Sequence, residues 1–403
     1  MTYPFWLPLL LGFLSATGPI STDMYLPAFP AIETSLRVHL GSAQWTLATW
    51  FIGLAIGQIT QGALSDRFGR KAPLVIATAL FTLANVGCAL STDIVTLSVM
   101  RFLAAIGGSA SMVIPRAIVR DLSEGHAAAR MMSRLILVSG VAPILAPTLG
   151  GLLLKIADWH FIFWVTVIYG TLCCVLVVLF LPDTLPVEKR VRQSGMQLAS
   201  RFGQILRERS FLTNALMGGS GMFAMFAYIG GSPGIFIEGM HVSPSVYAVM
   251  FSSSALFFIV FSQLNPLLLV RVGSDKLMRI AVRCFLAAAL ALAAVAFLGP
   301  LLPGGVRWWM LLPPVMCMMG CQGINMPNTT VAALQRHASH AGTASALMGM
   351  MGFCLAAISG LAVGVVSDGS ARPLAILALM GAVGANVADL YRRRDLMLRS
   401  QNT

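Results

Sequence analysis

Apolar runs of about twenty residues, separated by short polar or glycine-containing breaks, recur from one end of the chain to the other. A helix needs about 20 apolar residues to cross the ~30 Å hydrocarbon core of a bilayer. Twelve segments meet that length, roughly 5–27, 43–64, 73–91, 94–116, 131–155, 159–181, 211–236, 244–270, 277–299, 308–334, 341–366 and 372–391. Only residues 182–210 form a long polar stretch, and they divide the segments six and six. The pattern predicts an all-α integral membrane protein with 12 transmembrane helices. Residues 1–181 make an N-terminal six-helix bundle and 211–391 a C-terminal one, with a cytoplasmic linker at 182–210 and a basic cytoplasmic tail at 392–403. Within the linker, Gln197 to Arg209 reads as an amphipathic helix on the membrane surface. The first segment is too long and too proline-rich for a signal peptide, and no small-residue cleavage site follows it.

Composition agrees: 57% of the 403 residues are hydrophobic and only 10% charged, far too apolar for a soluble fold. Charge then sets the orientation. With both termini inside, the cytoplasmic loops and helix ends hold 22 of the 27 basic residues, whereas only Arg37, Lys155, Arg307 and Arg372 face outward. That asymmetry places both termini in the cytoplasm by the positive-inside rule. The net charge of +12 is an insertion signature, and a nucleic-acid partner is not expected.

The seven cysteines all fall inside spans. Cys317 and Cys321 stand four apart, yet no nearby histidine or carboxylate completes a metal set, so they read as small hydrophobes. His337 and His340 sit on a short cytoplasmic loop and read as solvated. No phosphate-binding loop, nucleophile elbow or zinc helix motif is present. The expectation is a secondary transporter, not an enzyme, with no metal and no cofactor.

Two charges inside spans carry the candidate chemistry. Asp23 lies in the outer half of the first span, flanked by Pro19, Pro27 and Pro30. A charge at the centre of a membrane helix costs about 2.5–3.5 kcal/mol on insertion scales, so Asp23 faces protein or a water-filled cavity and reads as a protonatable group on a transport path. Arg101 lies about one turn inside the fourth span and reads either as a partner in proton coupling or as an anchor snorkelling to the interface. In the second span, Gly53 and Gly57 allow close helix approach, and Gly62 continues the spacing. Aromatic, methionine and amide side chains suit the wall of a loosely specified cavity. Tyr25, Gln58, Phe223, Phe226, Asn325 and Met348 are the candidates for it.

The link between the second and third spans, Gly62 to Lys71, reads GALSDRFGRK. It resembles the loop signature of the major facilitator superfamily, matching at Gly62, Leu64, Asp66, Arg67, Gly69, Arg70 and Lys71. The resemblance implies two pseudo-symmetric six-helix bundles around a central cavity. It also implies a gating role for Gly62, Asp66, Arg67, Gly69 and Arg70, with Arg116 or Arg120 as the expected partner of Asp66. Arg101 with Gly107, Gly108 and Ala110 is similar to the family's fourth-span motif, although Ala104 and Ala105 stand where Gln-Gly is usual. The fifth span, with Gly140, Pro143, Pro147, Gly150 and Gly151, resembles the antiporter signature, with Ala146 in place of one glycine. Between the eighth and ninth spans, Gly273 aligns with Gly69 but Val270 falls where Asp66 would be, a decayed second copy.

TDMYLPAFP (Thr22 to Pro30), PRAIVRD (Pro115 to Asp121) and APTLGG (Ala146 to Gly151) resemble the Bcr/CflA branch of bacterial drug:proton antiporters. That resemblance implies a monomer in the bacterial inner membrane. It also implies small amphipathic drugs and protons as partners, and proton-driven efflux as the activity. A proton-linked carrier of a sugar, amino acid or nucleoside on the same fold is the alternative, and the fifth span argues against uptake.

Overall fold

The computed structural model describes every residue except 1–3, 5, 124, 191–194, 302, 304, 338–340 and 401–403. Phe5, Arg192 and His340, which the sequence places in the first span, the linker and a cytoplasmic loop, lie outside the described residues. Among the described residues all regular structure is helical. The chain clusters into two compact units, Met1–Val38 with Thr49–Gly195, and His39–Ala48 with Met196–Thr403.

The first unit opens with a broken span: α1 (Leu7–Ser15), α2 (Thr17–Asp23), a 3-10 turn at Leu26–Ala28 and α3 (Phe29–Ser35). Pro27 and Pro30 fall in first-turn positions of the last two pieces, where a missing backbone donor costs nothing. The single helix expected over 5–27 is therefore a chain of short ones. There follow α4 (Ala43–Phe68), α5 (Lys71–Ala89), α6 (Ile94–Leu122), α7 (Gly125–Leu153) and α8 (His160–Phe180). Asp93 caps α6 by accepting the Thr96 N–H at 2.8 Å. A methyl group at Gly53 would stand 2.5 Å from the Phe102 carbonyl oxygen, and one at Gly57 2.0 Å from Ser109 Oγ. The α4–α6 crossing is thus as close as the glycine spacing predicts, while Gly62 makes only an ordinary contact.

The second unit holds α9 (Gly195–Arg207), α10 (Arg209–Pro233) running into a π-helical turn at Gly234–Gly239, α11 (Pro244–Val272), α12 (Ser274–Leu298), α13 (Trp308–Leu334), α14 (Ala341–Val366) and α15 (Arg372–Ser400). Gln44, at the start of α4, belongs here and donates to the Gly230 carbonyl at 3.1 Å. Residues 392–400 of the expected tail are instead the last turns of α15, and 401–403 lie outside the described residues. Asp389 pairs with Arg392 at 2.8 Å and with Arg393 at 3.1 Å along one helix face, and such spacing supports a helix past its apolar stretch.

Nine of the described helices are long and apolar enough to cross a membrane: α4, α5, α6, α8, α10, α11, α12, α14 and α15. Of the other three expected spans, the first is broken and α13 is diluted by Pro313, Pro314, Gln322, Asn325 and Asn328; α7 is 29 residues long, and its described part includes an apolar stretch at Gly140–Leu153.

Candidate functional site

In the first unit, Asp23 is the last residue of α2, 7% exposed, and no ion pair to it forms among the described residues. Two residues on, Tyr25 turns its ring under the Arg101 guanidinium, 4.2 Å from the ring centroid. Trp50 of α4 covers the same cation at 4.3 Å and Phe163 of α8 approaches at 6.0 Å. Arg101 is 1% exposed, and its Nε and one terminal nitrogen, Nη2, have no hydrogen-bond partner among the described residues. Its charge is held by aromatic faces, each worth about 2 kcal/mol or more when water is excluded. The snorkelling alternative does not describe this side chain. Asp23 and Arg101 are linked through the short backbone segment that carries Tyr25 rather than by direct contact.

The break after Asp23 is set from the other side by α7. A methyl group at Gly150 would lie 1.8 Å from the Met24 carbonyl oxygen, so only glycine lets α7 close on this backbone. Gly140, ten residues earlier, has nothing within 4 Å among the described residues. Pro147 and Gly151 are buried and Pro143 half-buried. The close packing read into the whole glycine–proline series is therefore concentrated at its Gly150 end.

A second constellation lies at the α4–α5 turn. Gly69 adopts φ +91, a conformation glycine enters freely, and a methyl group there would meet Asp183 Oδ2 at 2.1 Å. Arg70 is the hub. Its Nε donates to Asp121 Oδ2 at 2.8 Å, its Nη1 to Ser65 at 3.0 Å and to Asp66, and its backbone N–H to Asp183 at 2.8 Å. Arg190 closes the ring on Asp183 at 2.9 Å. Burial works against the Arg70 charge, but the hydrogen bonds and charges of Asp121 and Asp66 more than offset it and raise its pKa. The expected partnership of Asp66 with Arg116 or Arg120 does not form: Arg70 takes Asp66, and Arg116 and Arg120 stand exposed. Arg67 is exposed and lies over the Phe68 ring.

The candidate cavity residues divide between the units. Tyr25 is committed to the Arg101 cage, and Gln58 of α4 is half-buried. In the second unit, Phe223 and Phe226 lie buried on α10, and Met348 packs beside Gly218. Asn325 on α13 is 1% exposed, and neither polar atom of its amide has a partner among the described residues. One turn away Asn328 and Asn265 pair across α13 and α11 at 2.8 Å. Sequence reasoning missed Trp50, Phe163, Asp121 and Asp183. The single usable signal was Asp121, inside PRAIVRD; aromatic residues in an apolar run give none.

The comparisons add the context. The Major Facilitator Superfamily model matches residues 11–361. The chain is 36% identical over 385 residues to the uncharacterized MFS-type transporter YdgK of Bacillus subtilis, covering 95% of this chain and 94% of that protein. It is 28% identical over 374 residues to the bicyclomycin resistance protein homolog of Haemophilus influenzae, covering 93% and 92%. Among solved structures, a D-xylose-proton symporter matches with a TM-score of 0.71 at 15% identity, covering 94% of this chain and 95% of that one. That likeness speaks to the fold.

Proposed function

The chain belongs to the Major Facilitator Superfamily as a secondary transporter, and we propose that it exports small amphipathic compounds in exchange for protons by alternating access. The observation that carries this reading is the buried Asp23 carboxylate, set at a helix break with no cation paired to it among the described residues. A carboxyl away from water is far cheaper to hold neutral than charged. In the proposed cycle Asp23 takes a proton from outside and gives it up inside as cargo arrives, with Arg101 as a fixed positive neighbour. The drug-resistance relative in Haemophilus influenzae supports drugs as the cargo class. A monomer in the bacterial inner membrane, with both termini cytoplasmic, completes the proposal.

The energetics are adequate. Each proton entering down 100 mV and one pH unit supplies about 3.7 kcal/mol, enough for a gradient on the order of 500-fold in a neutral cargo. The test is transport of labelled bicyclomycin by the purified protein in vesicles with an imposed pH gradient. The wild type is expected to move it uphill against the proton flow. The Asp23→Asn variant should equilibrate it without concentrating it. Uphill export at the wild-type rate by Asp23→Asn would end the coupling scheme, and movement with the proton flow would turn the reading to uptake.

A further inference from the structure

Away from the buried charges, the second unit carries an apolar groove between α11, α12 and α13 with a volume of about 470 Å³, within the ~300–1,000 Å³ of ligand pockets generally. Phe257 and Phe261 form one wall, Ile280 and Cys284 the second, Trp309 and Cys317 the third. Along α13 it runs from Trp309 to Ile324, about 22 Å at 1.5 Å per residue, an elongated slot parallel to helices that cross the bilayer. At one end its floor continues through Leu277, Ala281 and Ile324, packed by Leu268 and Val272, to the α11–α12 turn.

That end is basic. Arg271 and Lys276 are exposed at the turn and Arg283 is exposed farther along α12, while Asp275, the acid of the turn, is taken by Arg392. Lys276 and Arg283 lie on the same exposed stripe of α12 as the groove residues Ile280 and Cys284. A preference for positive charge at one membrane face accounts for residues in the turn, and Arg283, about 14 Å along α12 from Ser274, carries that charge to the groove wall beside Cys284.

We propose that this groove holds an acyl chain of an anionic phospholipid, whose phosphate is bound by Arg271, Lys276 and Arg283. Basic pockets between membrane helices bind anionic headgroups by this combination of charge and apolar depth. The site depends on the bilayer alone and not on the nature of the cargo.

The test is native mass spectrometry of the full-length protein, titrated with phosphatidylglycerol or with phosphatidylcholine bearing the same chains. The wild type should retain phosphatidylglycerol preferentially. Replacing Arg271→Gln, Lys276→Gln and Arg283→Gln should lower that preference by about fivefold per residue. Cys284→Trp, which fills the slot from a lipid-facing position, should lose the bound lipid whatever its headgroup. A thermal melt of each variant separates lost binding from lost folding. The proposal is overturned if folded Cys284→Trp keeps its lipid, if the three glutamine changes leave the preference intact, or if the wild type holds both lipids equally.

Discussion

Two glycines ten residues apart on α7 make opposite demands, and substitution separates them. At Gly150 a methyl group meets backbone at 1.8 Å, so Gly150→Ala must push α7 off the Asp23 segment at an overpacking cost of about 1–3 kcal/mol. Melting in detergent should fall, and transport should fall further because the displaced backbone carries the carboxylate. Gly140→Ala, with open space around it, should be neutral or slightly stabilising by helix propensity. Equal effects at both positions would show that the Met24 contact does not matter. Arg101→Lys asks a different question. It keeps the charge but loses the flat guanidinium that stacks on Tyr25 and Trp50. Transport should drop on the order of tenfold, whereas wild-type activity would mean that the charge alone is needed.

At the scale of elements, the α4–α5 and α11–α12 turns are each tied down by charge. Arg392 binds buried Asp389 and exposed Asp275. Removing an exposed partner costs little, whereas removing the arginine leaves a buried carboxylate with Arg393 as its one remaining cation among the described residues. Arg392→Gln should therefore lower the melting temperature clearly more than Asp275→Asn, and the reverse order would refute the assignment of Arg392 as the hub. The same charges explain where helix ends were hard to read. The apolar run marks both ends of α13, at 308 and 334. It misses the last turns of α6 and α15, to Leu122 and Ser400, because ion pairs there replace the hydrophobic period. The α4–α6 crossing was legible because Gly53 and Gly57 lie on one helix. The Arg70–Asp121 pair was not, since fifty residues and two helices intervene.

For the molecule as a whole, twelve apolar segments and the superfamily signature were enough to give the fold class and the transporter family. The broken first span was foreshadowed by Pro19, Pro27 and Pro30, and Asp23 by its misfit with an apolar run. What stayed hidden was the company Arg101 keeps. Rings from α4, α8 and the Tyr25 segment converge on it, and nothing in the local order of residues announces that convergence.

The two helix turns at Gly69 and Gly273 share a left-handed backbone, φ +91 and φ +82, yet their ionic fittings are mirror images in sign. In one the turn supplies the cation, Arg70, and the neighbouring helix the acid, Asp121; in the other the turn supplies Asp275 and the terminal helix Arg392. Column-by-column comparison of the halves scores this as erosion, because an acid faces valine. Scored as couples, the two halves agree, and descent from a duplicated ancestor is better traced through such bonded partners than through single letters.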